Sequence, residues 1–378
     1  MKRVALIGNV ASMMVNFRGY LIKDLSDRGV RVFCFCVDYD EESRAKIRVL
    51  GGEPVDFSLN SKGLNPFLDF FATFDLYKKL KSEKFDVVMP YFVKPVLFGG
   101  LAAKLAGVPR VVGMIEGLGN AFVEYDEFSL KRSLIKWMQI LLYKVLLRNL
   151  DCLLLLNESD KLDLIDKYKI KVKKVVVLGG IGVDLNEFSY VADLSIKAKS
   201  VGFIFVARLL REKGIFEFLE AAKQIKGEGF DAEFVVLGGF DESVFALSRE
   251  DMDGYTRSGI VKYPGFVNNV KEWVSGSSVF VLPSFYREGV PRSTQEAMAL
   301  GKPVITTNVP GCRDTVEDGV NGFLIPPKDV SSLVVAMKRF LENPELIDVM
   351  GLASRSMAVS KFDVDAVNER IISILQGK

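Results

Sequence analysis

Histidine is absent from all 378 residues. That excludes Ser-His-Asp triads, imidazole metal sites and a histidine general base. Any proton carrier must be a carboxylate, lysine, tyrosine, cysteine or a substrate group. Cysteine is scarce: four residues, at 34, 36, 152 and 312, give no disulfide framework in a chain this large. Cys34 and Cys36 alternate in a strand-like run, share one face, and have no Cys or His nearby to complete a metal site. Neither sign of charge dominates, since 50 Lys+Arg against 48 Asp+Glu leave a net +2. There is no global electrostatic case for nucleic acid as a partner. No apolar run reaches the roughly 20 residues that span a bilayer. The first ten residues enter a strand and not a signal sequence. Reduced thiols with no leader make the cytoplasm the expected location.

What is present is alternation. Short apolar strands at 4–7, 30–37, 86–89, 110–114, 152–156 and 175–178 are separated by helical patterns at 17–27 and 96–106. The pattern restarts with strands at 202–206, 232–237, 260–263, 279–282 and 303–306 and a helix at 214–226. Fully apolar strands between helices predict parallel, doubly covered sheets. Two such sets, joined by a polar link near 186–200, predict two Rossmann-like domains, with ligands at the carboxyl ends of the strands.

The densest chemistry runs from 284 to 303: Ser-Phe-Tyr-Arg-Glu-Gly-Val-Pro-Arg-Ser-Thr-Gln-Glu-Ala-Met-Ala-Leu-Gly-Lys-Pro. Glu288 and Glu296 stand eight positions apart, with Gly289, Val290, Pro291 and Arg292 leading from a turn into a helix. A glycine-containing turn at a helix N-terminus offers backbone N–H groups to anionic or hydroxyl oxygens. Upstream, Val-Ala-Arg-Leu-Leu-Arg-Glu-Lys-Gly at 206–214 places Arg208 and Lys213 after a strand and before a helix, where cations suit a diphosphate.

These stretches resemble the Glu-x7-Glu and Arg-x4-Lys-Gly elements of retaining glycosyltransferases of family 4, and the Glu-Gly-Leu-Gly text at 116–119 is similar to that of members building oligosaccharides on a polyprenyl diphosphate. The resemblance implies an α/β protein of GT-B fold, with two Rossmann-like domains whose parallel sheets face across a central cleft. Residues 1–185 would bind the acceptor and 186–360 the nucleotide-sugar, with a helix at 361–378 packing back on the first domain. It further implies a UDP-sugar donor, with an N-acetylhexosamine among the candidate sugars, a lipid-linked saccharide acceptor, and no metal or other cofactor. Arg208 and Lys213 would meet the departing diphosphate, Glu288 the donor hydroxyls and Glu296 the ribose. Gly238 and Gly239, in Leu-Gly-Gly, and Val267, in Gly-Phe-Val, would lie against the nucleotide. Gly8, ending the first strand before a loop with Asn9, Ala11 and Ser12, would lie near the donor phosphates. Glu116, in Met-Ile-Glu-Gly-Leu-Gly, would orient or deprotonate the acceptor hydroxyl; a loop-stabilising carboxylate is the alternative.

Two other features need a reading. Asp38/Asp40, Asp251/Asp253 and Asp363/Asp365 form Asp-x-Asp strings. The first follows a strand, as a metal-dependent GT-A enzyme would need, although the rest of the chain reads as GT-B. Residues 128–150 mix Lys131, Arg132, Lys136 and Trp137 with many aliphatics. Such a basic amphipathic helix suits the membrane interface, implying a peripheral protein on the cytoplasmic face; a buried helix with a solvated basic edge is the alternative. A UDP-sugar epimerase of the same fold, or a non-catalytic glycan-assembly protein, remains open as a different function.

Overall fold

The computed structural model describes residues 1–59, 66–123, 129–190, 200–241 and 246–378. Phe128 and residues 191–199 of the expected link lie outside them. The chain divides into two compact units, Met1–Ile181 with Val364–Lys378, and Gly182–Asp363.

In the first unit the strands are β1 (Arg3–Ile7), β2 (Arg31–Cys36), β3 (Gly52–Asp56), β4 (Val87–Pro90), β5 (Arg110–Ile115), β6 (Cys152–Leu155) and β7 (Val175–Val177). All pair in parallel, in the order β3-β2-β1-β4-β5-β6-β7. β4 and β6 are buried at every position, as aliphatic strands covered on both faces must be. Phe33 and Phe85 meet edge-on at 5.0 Å in the core beside them. The order reverses between β1 and β4, so the loops leaving these strands diverge and open a crevice at the carboxyl edge.

The second unit repeats the plan with β8 (Val201–Val206), β9 (Ala232–Leu237), β10 (Lys262–Gly265), β11 (Val279–Leu282), β12 (Val304–Thr307) and β13 (Gly322–Ile325). The order is β10-β9-β8-β11-β12-β13, again parallel, with the reversal between β8 and β11. Phe203 stacks on Phe234 at 5.4 Å, and Phe218 of the helix Ile215–Gly227 packs edge-on against Phe234.

Some boundaries correct the sequence reading. The first helix starts at Ala11 and not at 17, so Ala11 and Ser12 are helical and the loop after β1 shrinks to residues 8–10. Val10 offers no side-chain cap; Asp38 does so from the loop after β2, accepting from the Ala11 N–H at 2.7 Å. Asp40 caps the helix Glu41–Val49 in a reciprocal box with Ser43. This Asp-x-Asp string thus serves two helix N-termini. The expected helix at 96–106 is a π-helical turn, Pro95–Gly99, followed by Gly100–Leu105. β3 and β13 have no counterpart among the strands expected from the sequence. The final helix, Val364–Gln376, belongs to the first unit: Asn368 donates to Asp24 at 2.7 Å and Arg370 to the Leu178 carbonyl at 2.9 Å.

Candidate active site

The reversal between β8 and β11 decides which residues of the second unit meet. The loop leaving β8 ends in the short turn Arg211–Lys213 and then Gly214, which begins the helix Ile215–Gly227. The loop leaving β11 is 283–291 and begins the helix Arg292–Ala299. The Glu212 carbonyl holds the two together, accepting from the N–H groups of Phe285 at 2.8 Å and Tyr286 at 3.0 Å and from the Ser284 hydroxyl at 3.0 Å. Gly214 lets them approach: its φ is +82°, and a Cβ would run into the Pro283 carbonyl.

Across this junction Lys213 Nζ pairs with Glu288 Oε1. Their side chains are only 15% and 11% exposed. Ser284 Oγ also lies 3.2 Å from Glu288 Oε1, its single proton shared between that oxygen and the Glu212 carbonyl, and the Lys213 ammonium lies 5.1 Å from the Tyr286 ring centroid. Cation and carboxylate are therefore oriented by neighbours and partly shielded, which strengthens their interactions with an incoming charged ligand. Arg208 lies outside this cluster and pairs with Asp241 at 2.9 Å in a more exposed setting. Arg292 and Glu296 form an i,i+4 pair at 2.8 Å on the helix after Pro291. Burial pushes the Glu296 carboxyl above its ordinary value, with Arg292 opposing that shift. Gly289, Val290 and Pro291 are buried, and Gln295 braces them by donating to the Val290 carbonyl at 3.1 Å while accepting from Gly182 at 3.2 Å.

Gly238 and Gly239 follow β9, and Val267 follows β10. A Cβ on Gly238 would strike the Ala207 carbonyl, whereas Gly239 has open space around it. Tyr263 ties these loops by donating to the Gly238 carbonyl at 2.8 Å.

In the first unit Gly8 follows β1 against the Tyr91 ring, where a Cβ would collide with the phenol. Glu116 follows β5 and pairs with Arg18 of the first helix. Arg18 is 2% exposed and the Glu116 side chain 7%. Arg18 also faces the Tyr91 ring at 4.8 Å. This contact orients a carboxylate at a strand end without exposing it as a bare base. Arg18 was missed in the sequence, although its spacing from Met14, Leu21, Ile22 and Leu25 puts it on the buried face of its helix. Ser284, Asp241 and Gln295 were missed too; Ser284 opens the quoted motif.

The basic segment forms the helix Leu130–Leu146, capped by Ser129. Ile140, Tyr143 and Leu146 face the core, while Leu130 (77%), Leu134 (58%) and Trp137 (61%) are exposed. Lys131 is exposed, Arg132 and Lys136 half-buried, and Lys136 Nζ lies 4.8 Å from the Phe122 ring centroid. Among the described residues no helix is long and apolar enough to cross a membrane.

The chain matches known proteins along its length. Residues 188–357 match the family model "Glycosyl transferases group 1", and residues 19–187 match "Glycosyltransferase Family 4". It is 30% identical, over 91% of this chain and 90% of the relative, to N,N'-diacetylbacillosaminyl-diphospho-undecaprenol alpha-1,3-N-acetylgalactosaminyltransferase of Campylobacter jejuni. It is 31% identical, over 82% and 81%, to UDP-Gal:alpha-D-GlcNAc-diphosphoundecaprenol alpha-1,3-galactosyltransferase of Escherichia coli. Its fold resembles sucrose-phosphate synthase from Thermosynechococcus elongatus (TM-score 0.80, 19% identity, 100% and 99% covered). Anabaena HepE in complex with UDP is similar as well (TM-score 0.78, 18% identity, both chains fully covered). With two parallel α/β units and these matches, the chain belongs to the group 1 glycosyltransferases and has the GT-B fold.

Proposed function

We propose that this glycosyltransferase moves a sugar from a UDP-sugar to a saccharide carried on a polyprenyl diphosphate, with retention of anomeric configuration and without a divalent metal. The observation that carries the reading is the shielded Lys213–Glu288 pair at the strand-order reversal of the second unit. The acceptor class is supported by the names of the two relatives, both of which act on undecaprenyl-diphosphate-linked sugars. UDP as the nucleotude carrier is supported by the E. coli relative's name and by the UDP complex of HepE.

Lys213 has three N–H donors, so it can keep Glu288 and still receive a phosphate oxygen. As the bond between the anomeric carbon and the diphosphate oxygen breaks, negative charge grows on the diphosphate. Lys213 and Arg208 stabilise it electrostatically. Glu288 accepts from donor hydroxyls, and Glu296 accepts from the ribose. The acceptor hydroxyl forms the new bond on the face the diphosphate leaves, and its proton passes to the departing phosphate oxygen. Glu116 is assigned to orienting that hydroxyl. Protonating a carboxylate already bonded to a guanidinium would forfeit a charge-assisted hydrogen bond. The exposed Leu130, Leu134 and Trp137, with Lys131 and Arg132 beside them, are assigned to an anionic membrane surface on the cytoplasmic side.

The test is a thermal-shift titration with UDP, GDP, ADP and CMP, each with and without EDTA. A ligand at a hundredfold excess over Kd adds about 2.7 kcal/mol. Selective stabilisation by UDP that survives EDTA is the expected result. Preference for another nucleotide overturns the donor reading, and loss of the shift in EDTA overturns metal independence.

A further inference from the structure

Phe92 stands two residues past β4, at the strand-order reversal of the first unit, with a backbone φ of +66°. Bulky side chains avoid this left-handed region because their Cβ crowds a carbonyl oxygen. Lys84, Lys169 and Lys328, the other non-glycine residues at positive φ among the described residues, are exposed lysines. Hydrogen bonds on both sides impose the conformation on Phe92. Its N–H donates to the Met114 carbonyl of β5 at 3.0 Å, and its carbonyl accepts from Val96 of the π-helical turn, also at 3.0 Å. Core packing gives no reason for a phenyl group here. Tyr91 before it is fully buried and Val93 after it packs on the core, whereas Phe92 stays half-buried. Backbone strain held in place by its surroundings collects at ligand sites.

The neighbours say what the ring meets. The Phe92 and Tyr91 ring centroids are 5.0 Å apart, with the rings tilted by 59°. Arg18 lies over the Tyr91 ring at 4.8 Å and pairs with Glu116, two residues beyond Met114. Phe92 and Glu116 are thus fixed to one buried Tyr91–Arg18 contact, at the ends of the adjacent strands β4 and β5. An aromatic face carries partial negative charge, which disfavours a phosphate and suits C–H groups polarised by neighbouring oxygens. A pyranose presents such C–H groups on one face and hydroxyls at its edge, where they are donors for a carboxylate. We propose that Phe92 is an acceptor-binding residue, its ring stacking on the sugar whose hydroxyl Glu116 orients. This rests on the acceptor reading above, and the donor sugar is the rival occupant.

The experiment uses the full chain with N-acetylglucosaminyl-diphospho-farnesol as acceptor probe and UDP-galactose or UDP-N-acetylgalactosamine as donor. Phe92→Leu removes the aromatic face, and Phe92→Asn does so with a residue that tolerates the left-handed backbone and should fold. Both should raise the acceptor KM by about tenfold, the usual strength of one aromatic stack, while kcat and the donor KM hold. Phe92→Tyr keeps the face and should keep the acceptor KM. A second readout needs no turnover. In a chain carrying Trp137→Phe and Trp273→Phe, the indole introduced by Phe92→Trp should change its emission with the acceptor probe and with methyl N-acetyl-α-glucosaminide, and not with farnesyl diphosphate. An unchanged acceptor KM in the Leu and Asn variants overturns the proposal. A rise confined to the donor KM also overturns it, by giving the ring to the donor sugar. An indole silent to both saccharides, or equally responsive to farnesyl diphosphate, does the same. A responsive indole, with no transfer to the probe by the unsubstituted chain, sinks the acceptor reading alone. Transfer to the probe with a silent indole sinks the stacking alone.

Discussion

Replacing Arg18 by Met removes one half of a buried ion pair and leaves the Glu116 carboxylate without its guanidinium. With side chains 2% and 7% exposed, the pair is nearly out of water. Removing one partner of such a pair costs about 3–5 kcal/mol, because the remaining charge is stranded. At about 2–4 °C per kcal/mol for a unit of this size, Arg18→Met should lower the melting transition of the first unit by roughly 6–20 °C. Arg18→Met combined with Glu116→Leu should recover most of that loss, since exchanging both partners for apolar groups is often close to neutral. The chain supplies a reporter: its two tryptophans are Trp137 in the first unit and Trp273 in the second. In a Trp273→Phe background, urea transitions followed by Trp137 fluorescence report the first unit. A cost below about 1 kcal/mol for Arg18→Met, or additive losses in the double variant, would refute the argument that the pair is buried and coupled. In the same background, Glu116→Gln should lower kcat/KM; full retention would remove Glu116 from the acceptor side.

Lys213→Met should reduce kcat/KM by about 10²–10³, the usual cost of losing a positioned electrostatic group, and a variant as active as the parent would exclude it from catalysis. Gly214→Ala places a Cβ against the Pro283 carbonyl at positive φ and should cost about 1–3 kcal/mol, read from Trp273 fluorescence in urea. Burial raises the Glu296 carboxyl above its unfolded value, so folding favours its protonated form. Its contribution is present below the ordinary glutamate range, near pH 4.3, and is lost as pH rises through the raised value. Relative to Glu296→Gln, the parent should therefore lose stability from pH 4 to neutrality; a constant gap between their pH–stability curves would contradict this. All four cysteines are buried, with the Cys36 and Cys312 thiols pushed up to about 12. None should react with iodoacetamide at pH 8 until urea unfolds the chain, whereas rapid native labelling would contradict the burial.

Much of the architecture was legible because the central strands are simple. Leu-Leu-Leu at 153–155 and Val-Phe-Val-Leu at 279–282 are buried on both faces, so their composition announces them. The strands that escaped notice, β3 and β13, are sheet edges. β3 reads Gly-Glu-Pro-Val-Asp, which carries a proline and one aliphatic residue because it is only partly covered. The first helix hid its start because its cap, Asp38, lies 27 positions downstream. The site divides in the same way. Lys213 and Glu288 stand in recognisable local motifs, but their partnership depends on β8 lying beside β11. Arg18 reaches Glu116 across 98 positions, through the packing of the first helix near β5. Such long-range pairings come from topology, and no local spacing encodes them.

The last helix changes how the chain must be made. The first unit needs residues 364–378, yet the whole second unit is synthesised before them. At about 5–20 residues per second, the roughly 180 intervening residues delay that helix by about 10–40 s. Until then the nascent first unit lacks the side chains that would join Asp24 and the Leu178 carbonyl. A ribosome stalled before codon 364 would hold an unfinished first unit beside a second unit whose own sequence is complete.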